Sequence, residues 1–162
     1  MFKRIGLIFA MACSLIMAQV PATPTDRVTD KTGTLSKTTI TQVSDLLQAL
    51  EKKNGTQVLV YMDYTLNGVP IEDFANKAAR AWKVGSAKNN NGLVLFIFKN
   101  DRKMRIEVGR GLEGVLPDTK TKAILDEVIR PKLKAGDFDS GVKGGIEAIV
   151  KVASGGEVGR AK

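Results

Sequence analysis

Residues 93–108 read LVLFIFKNDRKMRIEV, and this stretch decides the fold. It opens with an unbroken apolar run, Leu93 to Phe98, and then turns through the polar residues 99–103. Beyond the turn, Met104, Ile106 and Val108 alternate with Arg105 and Glu107. A short continuous apolar run bounded by turn signals reads as a strand covered on both faces. Strict alternation reads as a strand with one face turned inward. The two segments therefore predict a hairpin whose first strand lies inside the molecule, with a layer of structure on each side.

The flanking segments supply those layers. Upstream, residues 57–64 (QVLVYMDY) form a second apolar strand. Between the two strands, Pro70 suits a first helical turn. Ile71, Phe74, Ala78 and Trp82 recur at helical spacing up to a stop at Gly85. Earlier still, Ser36 is a candidate N-cap for a helix whose stripe is Ile40, Val43, Leu47 and Leu50, ended by Asn54 and Gly55. Downstream, a helix from about Thr119 turns Ile124, Leu125, Val128 and Ile129 inward, and Pro131 should kink or break it. Phe138, Val142, Ile146, Ile149 and Val150 mark a last helix. The order predicts an α/β fold, a three-layer α/β/α sandwich around a small mixed sheet, Rossmann-like, with a right-handed crossover between the two apolar strands.

The first 18 residues have another character. Lys3 and Arg4 precede a mostly apolar run ending in the small residue Ala18, the form of a secretory signal peptide. The run is short for a bilayer span, which needs about 20 apolar residues. Cleavage is expected after Ala18, with Ala22 as second choice. The only cysteine, Cys13, lies inside this run, so the exported chain has no disulfide, thiol nucleophile or cysteine metal ligand. Residues 19–27 carry Pro21 and Pro24 and read as a flexible linker; residues 153–162 are small and polar and read as a flexible tail. The single domain spans residues 28–152. The expected location is the periplasm or the extracellular space.

Charge narrows the partners. Without Lys3 and Arg4, the 25 basic residues fall to 23, against 17 acidic ones, for a net charge of +6. The basic residues are spread along the chain with no interleaved aromatics, which excludes a base-stacking nucleic-acid surface. The chain has no histidine, so the commonest acid/base of neutral pH is absent. It also has no phosphate-binding loop of the GxxxxGK[ST] type.

The loop after the hairpin is the candidate site. Gly109, Gly111 and Gly114 permit close backbone approaches, and Glu113 and Asp118 sit among them. The topology returns this loop to the sheet edge where Asn89, Asn90 and Asn91 enter the second strand. Carboxylate and amide oxygens with glycine-loop carbonyls are hard ligands suited to Ca2+ or Mg2+. No organic cofactor is implied. Asp30, Asp63 and Asp101 fall at the opposite edge.

Several separated segments are similar to the TPM-domain family, small extracytoplasmic domains of bacterial envelopes and the thylakoid lumen. They are VTDKTGTLS from Val28, QVLVYMD from Gln57, DFANKAARAWKVG from Asp73, the run from Asn91 to Asp118, and PKLKAGDFDSGVKGGIEAI from Pro131. The resemblance covers residues 28–152 and implies the α/β/α fold. It also implies three functions: divalent-metal binding, weak acid-phosphatase activity, and maintenance of membrane protein complexes. Asp30 belongs to the entry motif and joins Asn90, Glu113 and Asp118 as a metal candidate. Where the family commonly has aspartate before the Asn-Gly pair, this chain has Asn90, one negative charge fewer. The C-terminal membrane helix of many relatives is absent from this sequence.

Each candidate also has a plain structural role open to it. Asp118 can cap the helix after Pro117. Asp30 and Asp101 can stabilise turns, and the acids of residues 137–139 can start the last helix. Arg105 and Glu107 can pair on one strand face, and Trp82 can be core. Two functions follow. One is a monomeric binding module that supports a membrane complex in the envelope. The other is a weak metal-dependent phosphatase in which a cation activates water and Arg105 or Arg110 neutralises phosphate charge.

Overall fold

The computed structural model describes residues 19–155. The expected signal peptide (1–18) and most of the expected tail (156–162) lie outside the described residues. Strand β1 (Val28–Asp30) leads to helix α1 (Lys37–Asn54), strand β2 (Gln57–Asp63), helix α2 (Ile71–Trp82), and the hairpin β3 (Gly92–Phe98) and β4 (Lys103–Val108). A 3-10 turn (Arg110–Leu112) then precedes α3 (Asp118–Ala123), a π-helical stretch (Ile124–Ile129), α4 (Arg130–Lys134) and α5 (Phe138–Ala153).

The four strands form one sheet in chain order, with β1, β2 and β3 parallel and β4 antiparallel to β3. The hairpin register pairs Phe98 with Lys103 and Leu93 with Val108. All seven residues of β3 are buried, as a strand covered on both faces requires. On one face, Val43, Leu47 and Leu50 of α1, with Val142, Ile146 and Ile149 of α5, pack against Val58, Val60, Leu95 and Ile106. On the other, Phe74, Ala78 and Trp82 of α2 pack against Tyr61, Val94 and Phe96. This second layer is aromatic, with Phe74 edge-on to both Phe96 and Phe98. The three-layer α/β/α arrangement with a mixed sheet is the one expected from the sequence.

Strand β1 was not expected, because three residues (VTD) are too few to show a period. Its presence creates two crossovers, β1–α1–β2 and β2–α2–β3, which step in the same direction across the sheet. Two right-handed crossovers stepping the same way place both helices on one face. Here α1 and α2 lie on opposite faces, so one of the two crossovers is left-handed, against a strong general preference. The expected right hand for β2–α2–β3 holds only if β1–α1–β2 is the exception.

Local chemistry explains the boundaries. Ser36 caps α1, its side chain accepting from the Thr39 amide. Gly55 ends α1 in the left-handed conformation at φ 78°. Helix α2 ends at Lys83, itself left-handed at φ 50°, two residues before the expected stop at Gly85. Pro131 does not break the helix from Asp118 onward. The chain instead widens into a π-helical stretch just before it, which puts Ile124 and Ile129, five residues apart and both fully buried, onto the core.

The expected linker is held at several points. The Pro21 carbonyl accepts a hydrogen bond from the Trp82 indole at 2.9 Å, Val20 packs against the aromatic layer, and Arg27 pairs with Glu51 at 2.8 Å. These contacts tie Val20, Pro21 and Arg27 to the domain. Among the described residues, no helix is long and apolar enough to cross a membrane.

Candidate functional site

The amino-terminal edge of β3 is built by glycine. Gly85, Gly92, Gly109 and Gly111 each lie so close to another segment that a Cβ atom would overlap its backbone. The clashing partners are Gly92 for Gly85, Val84 for Gly92, Asn90 for Gly109 and Asn89 for Gly111. Hydrogen bonds hold the same contacts, from the Gly109 amide to the Gly92 carbonyl at 2.7 Å and from the Gly111 amide to the Asn90 carbonyl at 3.0 Å. Gly114 has open space around its α-carbon and takes no part.

Two amide side chains complete the edge. Buried Asn91 donates to the Gly55 carbonyl at 2.8 Å and accepts from the Ser86 amide at 3.0 Å. Gln57 accepts from the Gly85 amide at 2.9 Å and donates to Glu51 at 3.0 Å. Glu51 also takes the Arg27 guanidinium. That hydrogen bond leads in holding its carboxyl below the usual carboxylate range, against a smaller desolvation effect.

This edge borders a cleft of about 640 Å³ whose charged and polar lining includes Arg80, Lys83, Asn90, Glu107, Arg110 and Glu113. Of the residues expected to meet here, Asn90, Glu113 and Arg110 do. Asn91 is turned inward as a structural bond. Asp118 is the first residue of α3 and does not line the cleft. Arg105 is also outside the lining and is paired with Glu107 at 2.8 Å, as one of the plain readings anticipated. Arg80, Lys83 and Glu107 were not foreseen. Asn76, Arg80 and Lys83 recur at spacings of four and three at the end of α2, which could have flagged a common exposed face.

Asp30 lies at the other end of the sheet. One oxygen of its carboxylate accepts from the Thr32 amide and hydroxyl, at 2.8 and 2.6 Å. The other accepts from the Leu35 amide at 2.8 Å. Asp63 and Asp101 are used the same way. Asp63 accepts from Tyr61 and from the Tyr64 amide, and Asp101 from Thr65 and the Leu66 amide. Asp30 and Glu113 therefore belong to different ends of the molecule, as the expected strand order implied.

A resident divalent cation needs several hard oxygen ligands converging on one point. Among the described residues, no group of three or more His, Cys, Asp or Glu could hold a metal ion. In the cleft, Glu107 is committed to Arg105, and Arg80, Lys83 and Arg110 add positive charge beside Glu113. That donor set does not fit a tightly held metal.

The geometry defines a class: a three-layer α/β/α domain with a glycine-locked sheet edge beside an open, mixed-charge cleft. The family model described as TPM domain matches residues 28–152, and the chain belongs to that family. Solved structures agree. The N-terminal domain of a protein from P. gingivalis is 35% identical, with 83% of this chain and 85% of that chain covered at a TM-score of 0.76. An N-terminal domain from Corynebacterium glutamicum is 20% identical, with 90% of each chain covered at a TM-score of 0.63. The BA42 protein of the psychrophilic bacterium Bizionia argentinensis is also 20% identical, with 78% and 86% covered at 0.65; these last two bear on the fold alone. No curated protein matches the chain significantly.

Proposed function

We infer that this protein is an exported TPM-domain binding module that holds a partner, in support of an envelope membrane protein complex, and does not turn over a substrate. The observation that carries this reading is the cleft itself: a backbone frame locked by glycine, with exposed Asn90, Arg110 and Glu113 on its rim. Rigid frames with exposed polar loops are the usual setting for recognition. A divalent cation here is a weak, exchangeable visitor at Glu113 and Asn90. The family's phosphatase association finds no support in the side chains of the cleft, since the sequence has no histidine and the cleft carboxylates are separately engaged or isolated.

Calorimetry and amide chemical shifts with Ca2+ and Mg2+, with phosphomonoester hydrolysis on the same samples, test the reading. The expected result is saturation only at roughly millimolar metal, in the range of weak extracellular sites. Shifts should be confined to residues 84–92 and 107–114, with no turnover above background. Micromolar binding accompanied by hydrolysis that disappears in Glu113→Gln would replace the module with an enzyme.

A further inference from the structure

A second cavity, of about 590 Å³, lies at the opposite end of the sheet, between the β3–β4 turn and the α4–α5 junction. It is lined by five cations, Lys99, Arg102, Lys103, Arg130 and Lys134, and by no carboxylate. Among the described residues, only Arg130 of these is in a salt bridge, with Asp126. Three acids near in sequence are used elsewhere. Asp101 bonds Thr65 and the Leu66 amide, Asp137 caps α5 at Ser140, and Asp139 accepts from the Ser36 amide. Apart from Asn100, the remaining side chains of the wall are apolar, chiefly Phe98, Met104, Leu133 and Phe138. Lys99 reaches Thr34 at 2.9 Å with its ammonium 5.3 Å from the centre of the Phe138 ring, so its charge is held at the wall. Arg102 sits at the hairpin turn with φ 52°, a conformation uncommon for a residue with a side chain.

We propose that this cavity is an anion site for a phosphate group carried on an organic moiety. Converging guanidinium and ammonium groups recognise phosphate through charge-assisted hydrogen bonds. The apolar wall takes the carbon portion that a bare inorganic ion lacks. The residues differ from those of the first cleft, and the site stands whether or not the binding-module reading holds.

Purified protein is titrated with inorganic phosphate and with glycerol phosphate while amide shifts are followed. Phosphatidylcholine vesicles with and without phosphatidylglycerol are then tested by flotation. Saturable shifts in residues 98–104 and 130–138 are expected. The variant Arg102→Gln/Lys134→Gln, both exposed positions, should weaken binding about tenfold or more. Lys52→Gln/Lys53→Gln, which removes the same charge from the end of α1, should leave it unchanged. Flotation dependent on phosphatidylglycerol identifies a lipid headgroup as the source; glycerol phosphate binding without flotation identifies a soluble phosphoester. Equal loss in both variants, or shifts spread over surface lysines, would reduce the effect to net charge and overturn the site. So would the absence of binding in every arm.

Discussion

The two ends of the sheet are closed by opposite means. At the amino-terminal edge of β3, closure comes from missing side chains: four glycines let three backbone segments touch. At the other edge it comes from aspartates, with Asp30, Asp63 and Asp101 each folded onto nearby backbone amides. The difference teaches where function can reside. Acids that look like ligands in the sequence are spent on turns at one end, while the glycine end leaves Asn90, Arg110 and Glu113 exposed.

The comparison can be broken most forcefully at Gly92. Its added Cβ would collide with the Val84 carbonyl, which belongs to backbone and cannot swing away. Gly92→Ala should cost about 2–4 kcal/mol in chemical denaturation, whereas Gly114→Ala, which meets nothing within 4 Å, should change stability by less than about 0.5 kcal/mol. Equal effects would mean that the edge is not built by close approach. At the aspartate end, Asp30→Ala removes the acceptor of two amides and a hydroxyl. It should cost about 1–3 kcal/mol and leave metal titrations unchanged. Loss of a metal response in that variant would restore Asp30 as a ligand.

Titration sharpens the contrast further. Tyr61 is raised above its ordinary value, chiefly by burial and then by its bond to Asp63. A raised folded value means that the contribution is complete below the unfolded tyrosine range, about 10, and is lost as pH rises beyond it. Thermal melts should therefore fall more steeply above pH 10 in the native chain than in Tyr61→Phe. Glu51 has the opposite sign. Its lowered value makes it stabilising above the ordinary carboxylate range and progressively less so as pH falls below about 4.5. Both partners are about a third exposed, so Glu51→Gln should cost no more than about 1 kcal/mol at neutral pH.

Much of this architecture was legible in the sequence because it is periodic. The unbroken run of β3, the alternation of β4 and the stripe on α2 each map onto an observed face. Caps such as Ser36 and Gly55 were legible because they act on neighbours in the chain. What escaped was non-local or too short. Strand β1 has three residues, and its partner Val60 is 32 positions away. The π-helical stretch reflects a demand to bury both Ile124 and Ile129, which only tertiary packing imposes. In the loop, Gly109 and Gly111 make close backbone approaches, whereas Gly114, which looks the same in the sequence, does not. What separates them is a backbone lying opposite, at Asn89 and Asn90. Asp118 and Glu113 were grouped by sequence proximity, yet the onset of α3 at Asp118 takes that residue out of the cleft lining.

The indole of Trp82 has a bearing on how the chain is processed. It is the only tryptophan in the sequence, 5% exposed, with its N–H satisfied by the Pro21 carbonyl. If the chain is trimmed after Ala18, as its sequence predicts, that carbonyl stays in place. Trimming after Ala22 removes it and obliges a nearly buried indole to find water or go unpaired. The single fluorophore is thus a built-in gauge of the mature N-terminus: the two products should differ in emission wavelength and in quenching by iodide, readable without labelling the protein.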